Sequence, residues 1–285
     1  MDLSGFELYG FLKYSFVQKS LLIAMLVGLS CSLVGVFVIL RGLSFMGVGI
    51  ANAAFAGVAL GFILNISPIA LALIISLCTA LLIGHISKRA ELKLDASIGI
   101  FFAFTMAIGF FLMGVLPEQA EELRHYIFGT LILPSAFEIQ LLIVTTIIVI
   151  LVILLFFKEF YFITYNQDLA DASGLPATFL FYFLLCLVAG TIVSSLKAVG
   201  ELLVVAMIII PAASACQLTY NIRKAVILSA IFGVTSSFLG IWISYYLNLN
   251  KGLNVPTGAV MVIIAGLIFL LTVSLSPKRG KGGYL

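Results

Sequence analysis

Nine stretches of about twenty residues run through this chain almost without charge, and that pattern leaves few folds open. They lie near residues 20–40, 46–64, 67–86, 96–115, 138–157, 177–196, 200–218, 224–246 and 256–275. Crossing the hydrocarbon core of a bilayer takes about 20 consecutive apolar residues in a helix. The stretches are continuous and rich in Leu, Ile, Ala and Gly. A membrane barrel would instead alternate apolar and polar residues in segments of about ten. Only 9% of the 285 residues are charged, against about 25% in a soluble domain, too few to coat a water-facing surface. The expected fold is therefore all-α, a polytopic bundle of about nine transmembrane helices, with eight and ten as the bounds. It forms a single membrane domain over residues 1–285, with 1–19 an amphipathic N-terminal segment and 277–285 a basic tail.

The polar breaks assign the loops. Between the fourth and fifth stretches, Leu116 to Phe137 holds Glu118, Glu121, Glu122, Arg124 and His125, then the half-apolar run Tyr126–Leu133. Eight apolar residues cannot span, so this piece is expected as a short interfacial or re-entrant helix ended by Pro134. Orientation follows from Lys and Arg, which gather on the cytoplasmic side of membrane helices. With nine spans, Arg41, Lys88, Arg89, Lys93, Lys158, Arg223, Lys224, Lys278, Arg279 and Lys281 share one side. Lys13, Lys19, Arg124, Lys197 and Lys251 share the other. The richer side is cytoplasmic and holds the C-terminus; if Phe6–Val17 also crosses, the count becomes ten. The basic residues are thus spent on topology, and no nucleic-acid partner is expected. The four cysteines, Cys31, Cys78, Cys186 and Cys216, lie inside apolar stretches as small hydrophobes. The first stretch lacks a small-residue cleavage site and is expected to remain as a membrane helix rather than act as a signal peptide.

Three local patterns bear on packing and motion. Gly49, Ala53, Gly57 and Gly61 recur every four residues and share one helix face, the spacing that lets membrane helices approach closely. Pro211 sits mid-stretch before Ala212, Ala213 and Ser214, a place for a kink and a candidate hinge. Thr164 to Gly174, on the expected cytoplasmic side, should form a short amphipathic helix with Leu169, Ala172 and Ser173 on one side and Asp168 and Asp171 on another. Gly174 would cap it ahead of Pro176. Such a helix can carry force from a cytoplasmic partner into the membrane, or simply tidy the interface.

Catalytic constellations are missing from the sequence. The two histidines, His85 and His125, lie near the ends of apolar runs, and no Gly-x-Ser-Gly nucleophile accompanies them. Glu121-Glu122-Leu-Arg124 has the wrong spacing for an intramembrane protease. No phosphate-binding loop exists, so ATP and Mg²⁺ would have to belong to another subunit. Proton-coupled carriers bury carboxylates or histidines as relays; here Glu201 is the one acid close to a span interior, expected one turn from the outer end. Transport energised elsewhere is the reading left.

The motifs carry a family resemblance over residues 10 to about 275. Leu40-Arg-Gly-Leu-Ser-Phe-Met-Gly47, Ala53–Ala59, Tyr126-Ile-Phe-Gly-Thr-Leu131, Thr164-Tyr-Asn with Ala170 and Gly174, Val199–Ala215 and Asn254–Ala259 come in order. Together they resemble the permease subunits of ABC importers for zinc, manganese and related divalent metals. The resemblance implies a pair of such chains, most simply a homodimer, in the cell membrane. Two cytoplasmic ATPase subunits would press on Asn166, Gln167, Asp168, Leu169, Ala170, Asp171 and Gly174. A solute-binding protein outside would deliver the metal, docking on the outer mouth around Glu118, Glu121 and Glu122.

One departure stands out. The family's second span usually reads Met-Gly-Asp-x-x-x-His, an acid and a histidine one turn apart, as an i, i+4 metal pair needs. Here those positions hold Val48 and Asn52. Valine cannot ligate, and an amide oxygen suits a transition metal poorly. The metal ligands are therefore unassigned, and the pathway residues expected are Asn52, Glu201 and Ser195. A metal chelate or other small solute as cargo, and an uncoupled channel or secondary carrier, are the alternatives.

Overall fold

The computed structural model describes residues 15–128, 136–251 and 255–276. Twelve helices follow one another: α1 Ser15–Leu40, α2 Met46–Leu64, α3 Pro68–Arg89, α4 Leu94–Val115, α5 Ala120–Phe128 and α6 Ala136–Leu155. They continue as α7 Phe157–Tyr165, α8 Gln167–Ala172, α9 Ala177–Val199, α10 Glu201–Leu218, α11 Ile222–Lys251 and α12 Thr257–Ser274. Nine of these helices are long and apolar enough to cross a membrane, and no strand occurs among the described residues. In hydrocarbon every backbone polar group must be bonded within the chain, and a helix achieves this locally. This is a multi-pass membrane protein.

The first described residue, Ser15, is already in α1, five residues ahead of the expected start, so part of the amphipathic segment is helix; residues 1–14 and the basic tail from 277 lie outside the described residues. The short helix before α6 is already formed at Ala120 and described to Phe128; of the expected Tyr126–Leu133, residues 129–133 lie outside the described residues. Glu121 and Glu122 in its first turn favour that start, because acidic side chains offset the positive end of a helix. Helix α7 was not expected. Phe156 interrupts the helix after Leu155, and a run of aromatics forms a separate helix with Phe160 and Ile163 buried. Phe160 packs on Phe37 of α1 and Phe183 of α9.

Helices α1, α2 and α9 are the most enclosed spans. Helices α4, α6 and α12 turn large apolar side chains outward, among them Phe104, Phe111, Leu154, Leu155 and Leu270, as a lipid-facing surface requires. Close backbone contacts bind the centre. A methyl group on Gly57 would come 2.7 Å from Ala72 Cα, and one on Gly61 2.7 Å from Pro68 Cα, so these two glycines seat α3 on α2. Gly49, on the same stripe, faces Ile98 of α4 instead. Helix α10 continues through Pro211, which is buried.

Candidate functional site

The polar centre of the bundle is made by two residues far apart in sequence. The Asn52 amide nitrogen donates to Glu201 Oε1 at 2.6 Å and to the Val48 carbonyl at 3.0 Å. Asn52 is buried at 6% exposure and Glu201 is half-buried. Asn52 lies about 18 Å of helix below the Leu64 end of α2, at 1.5 Å per residue. Glu201, bonded to it, lies against α2 well below the Leu64 end of that helix, while α10 starts level with the first turn of α12, where Gly258 faces Leu203 and the Val199 carbonyl. The cause is where α10 begins. Gly200 takes φ 85°, a conformation other residues reach only with strain, and turns the chain directly from α9 into α10. The first residue of α10 is thus carried inside, with the acid at the positive end of its own helix.

Ser195, the third expected pathway residue, is fully buried one turn before this bend, and its hydroxyl lies 4.0 Å from Cys31 Sγ of α1. The structure brings Asn52 and Glu201 together and bonds Ser195 into the α1–α9 contact. Val48 enters only through its carbonyl. Among the described residues no group of three or more His, Cys, Asp and Glu side chains could hold a metal ion.

Around this centre, α5 packs on α2, α9 and α10 through buried Leu123 and Tyr126. Burial pushes the Tyr126 phenol up to about 12, with the charges of Glu122 and Glu138 adding to it. Glu118, Glu121 and Glu122 are all exposed, on the side of α5 turned away from the bundle or just before it. Nearby, Lys197 of α9 pairs with Glu138 of α6 at 3.0 Å. That contact was not foreseen, since nothing in the sequence sets residues 138 and 197 side by side.

At the other end lies the short helix α8. Asn166 caps it, its Oδ1 accepting from the backbone N–H of Asp168 and Leu169. Gly174 takes φ 81° just beyond its end, as expected of a capping glycine. The buried residue is Ala170, at 0%, while Leu169 is 54% exposed. The apolar side expected around Leu169 is therefore turned to the surface, and the helix rests on its smallest side chain. Two contacts tie α8 into the bundle. Asp171 Oδ1 accepts from the N–H of Ala177, the first residue of α9. Arg41, between α1 and α2, donates to Gln167 Oε1 at 3.3 Å and lies 4.8 Å from the Phe181 ring centre. Burial lowers the Arg41 guanidinium to about 10, still charged at neutral pH, and its Nε and second terminal nitrogen are buried without a partner. Lys88 donates to Thr178 Oγ1 and sits over Phe181 and Tyr182. The loops of the basic-rich side thus converge on α8 and the start of α9.

Residues 13–276 match the ABC 3 transport family. The chain belongs to that family. Among curated ABC 3-like relatives, the manganese transport system membrane protein MntC of Listeria monocytogenes is 36% identical over 273 residues, 96% of this chain and 95% of its own. The manganese import system permease protein ScaB of Streptococcus gordonii is 34% identical over 95% of both chains. Among solved structures, PsaBC from Streptococcus pneumoniae in complex with Fab superposes with a TM-score of 0.83 at 33% identity, covering 96% of each chain. This ABC 3 protein is therefore a transport permease, and the expected family is the one found.

Proposed function

We propose that this chain forms the pore of an ATP-driven importer for divalent transition metals, with manganese the best supported cargo. The observation that carries the reading is similarity along nearly the whole length to two permeases named for manganese transport. The side bearing Arg41, Lys88 and α8 is then cytoplasmic, as the excess of Lys and Arg there supports. Cytoplasmic ATPase subunits press on Asn166 to Gly174, a second copy of the chain completes the pore, and a binding protein docks at the outer mouth near Glu118, Glu121 and Glu122.

Helix α9 is the rod in this mechanism. Its first residue is bonded to Asp171 of α8, and its last precedes Gly200 and the buried Glu201. A push on α8 moves the start of α9, and Arg41 takes the linker between α1 and α2 along with it. The Gly200 turn carries the displacement to the Glu201–Asn52 contact, whose making and breaking opens and closes the path. ATP binding acts by biasing two arrangements of the bundle. The Glu201 carboxylate is the hard oxygen ligand that a passing divalent ion meets, and Asn52 steadies it between passages.

Val48 and Asn52, where the family carries an acid and a histidine, favour a second reading in which a metal chelate is the cargo. Purified permease, ATPase and binding protein reconstituted in liposomes decide between them. Uptake of free manganese that needs both ATP and the ATPase supports the first reading. Uptake only of a chelate supports the second, and uptake by the permease alone removes both.

A further inference from the structure

A groove of about 800 Å³ runs between the end of α6, α7 and the start of α11. Its floor is Leu33 of α1, and Ile150, Leu154, Ile227 and Ile231 are among the aliphatic side chains along it. Lys158 and Arg223 stand in the lining, both exposed and neither in an ion pair among the described residues. A second hollow of about 810 Å³ shares Phe157, Lys158 and Arg223 with the groove and continues past Tyr161 and Tyr165. The Arg223 guanidinium lies 6.0 Å from the Phe157 ring centre, which holds it near the mouth.

An aliphatic slot at the depth of the spans, with cations where the spans end, has two chemistries in sequence. The slot offers a polar solute no partners, whereas a hydrocarbon chain needs none. The cations sit at the interface, where tyrosines and basic residues meet lipid headgroups, and a guanidinium beside an ammonium suits a phosphate. The one acid of the lining refines this. Glu159 has a carboxylate oxygen, Oε2, buried without a hydrogen-bond partner. Two cations and one anion leave a single positive charge, which balances a monoanionic phosphodiester and not a zwitterion. We propose that this groove is a specific site for one anionic phospholipid. Its acyl chain lies along Ile150 and Ile227, and its phosphate rests between Lys158 and Arg223. Because α7 leads straight into Asn166 and α8, the lipid braces the segment that precedes the short helix.

The test uses the full chain, purified in mild detergent and titrated with phosphatidylglycerol, phosphatidylethanolamine and phosphatidylcholine under native mass spectrometry. One phosphatidylglycerol per chain is expected, retained about fivefold better than phosphatidylcholine, as one net interfacial charge supplies. The double change Lys158→Gln with Arg223→Gln should abolish that preference, and the charge-keeping pair Lys158→Arg with Arg223→Lys should restore it. Ala230→Phe fills the slot without altering charge and should also lose the lipid. Equal retention of the three lipids, a preference for phosphatidylethanolamine, or full retention by the neutral double variant overturns the site. Release of the lipid when the ATPase subunit binds overturns it too, and assigns the groove to that partner.

Discussion

At the scale of residues, each informative side chain is held by one or two specific bonds, so single substitutions separate roles. Glu201→Gln keeps the shape and removes the charge. ATP-driven metal uptake should fall at least about tenfold while the complex still assembles, a loss of about 1.4 kcal/mol or more. Wild-type uptake would take Glu201 out of the path. Asn52→Leu removes the donor to Glu201 Oε1. A buried acceptor left without its partner costs about 1–3 kcal/mol, read as a lower melting temperature in detergent, with Asn52→Gln milder. Arg41→Lys keeps a cation beside Phe181 but loses the planar fork that also reaches Gln167. The expected result is fewer ions moved per ATP hydrolysed at unchanged ATPase binding. These residues were unequally legible. Glu201 could be singled out because an acid near a span interior is costly and therefore conspicuous, and Asn52 because it stands where the resemblance places a histidine. Their bond could not, because it joins positions 149 apart. The Arg41–Gln167 contact was hidden for the same reason.

Helices raise a different question, namely which faces touch. Gly57 and Gly61 were legible as a close-packing stripe, and the structure gives them α3 as their partner. A side chain at Gly57 meets backbone, which cannot yield, so Gly57→Leu should cost several kcal/mol and lower thermal stability sharply. Gly99→Ala, with open space around it, should change little. Helix α8 was legible from its amphipathic pattern and from Gly174, since a glycine has a local reason to sit at a helix end; the Asn166 cap was not read. Asn166→Ala removes a side-chain cap and should cost about 1 kcal/mol of local stability, seen as faster hydrogen exchange over 167–172. Its buried face was misjudged because six residues are too few for periodicity to fix orientation. The helix lies where α7 and α9 put it, and that placement buries Ala170 while Ala172 stays exposed. Helix α7 was missed outright, although its aromatic run with Lys158 and Glu159 carries an interfacial signature.

The whole molecule poses the question of sidedness. A reporter cysteine at Ser173 should react with an impermeant reagent only from the cytoplasm, and one at Glu118 only from outside, in a chain whose four native cysteines are replaced. Labelling of both from one side would overturn the orientation. Composition alone determined the rest of this scale. A chain with so little charge has lipid as its solvent, hydrocarbon demands helices, and the helix count follows from the length of apolar sequence needed to cross. Tertiary structure decided the site. Asn52 and Glu201 meet because the Gly200 turn starts α10 against the middle of α2, and no pattern along one helix encodes where its neighbour starts. Span identity is a local property of apolar sequence, written in every stretch of twenty residues. Depth and pairing belong to the packed bundle, where close glycine contacts and a few buried polar bonds fix how the helices stand against one another.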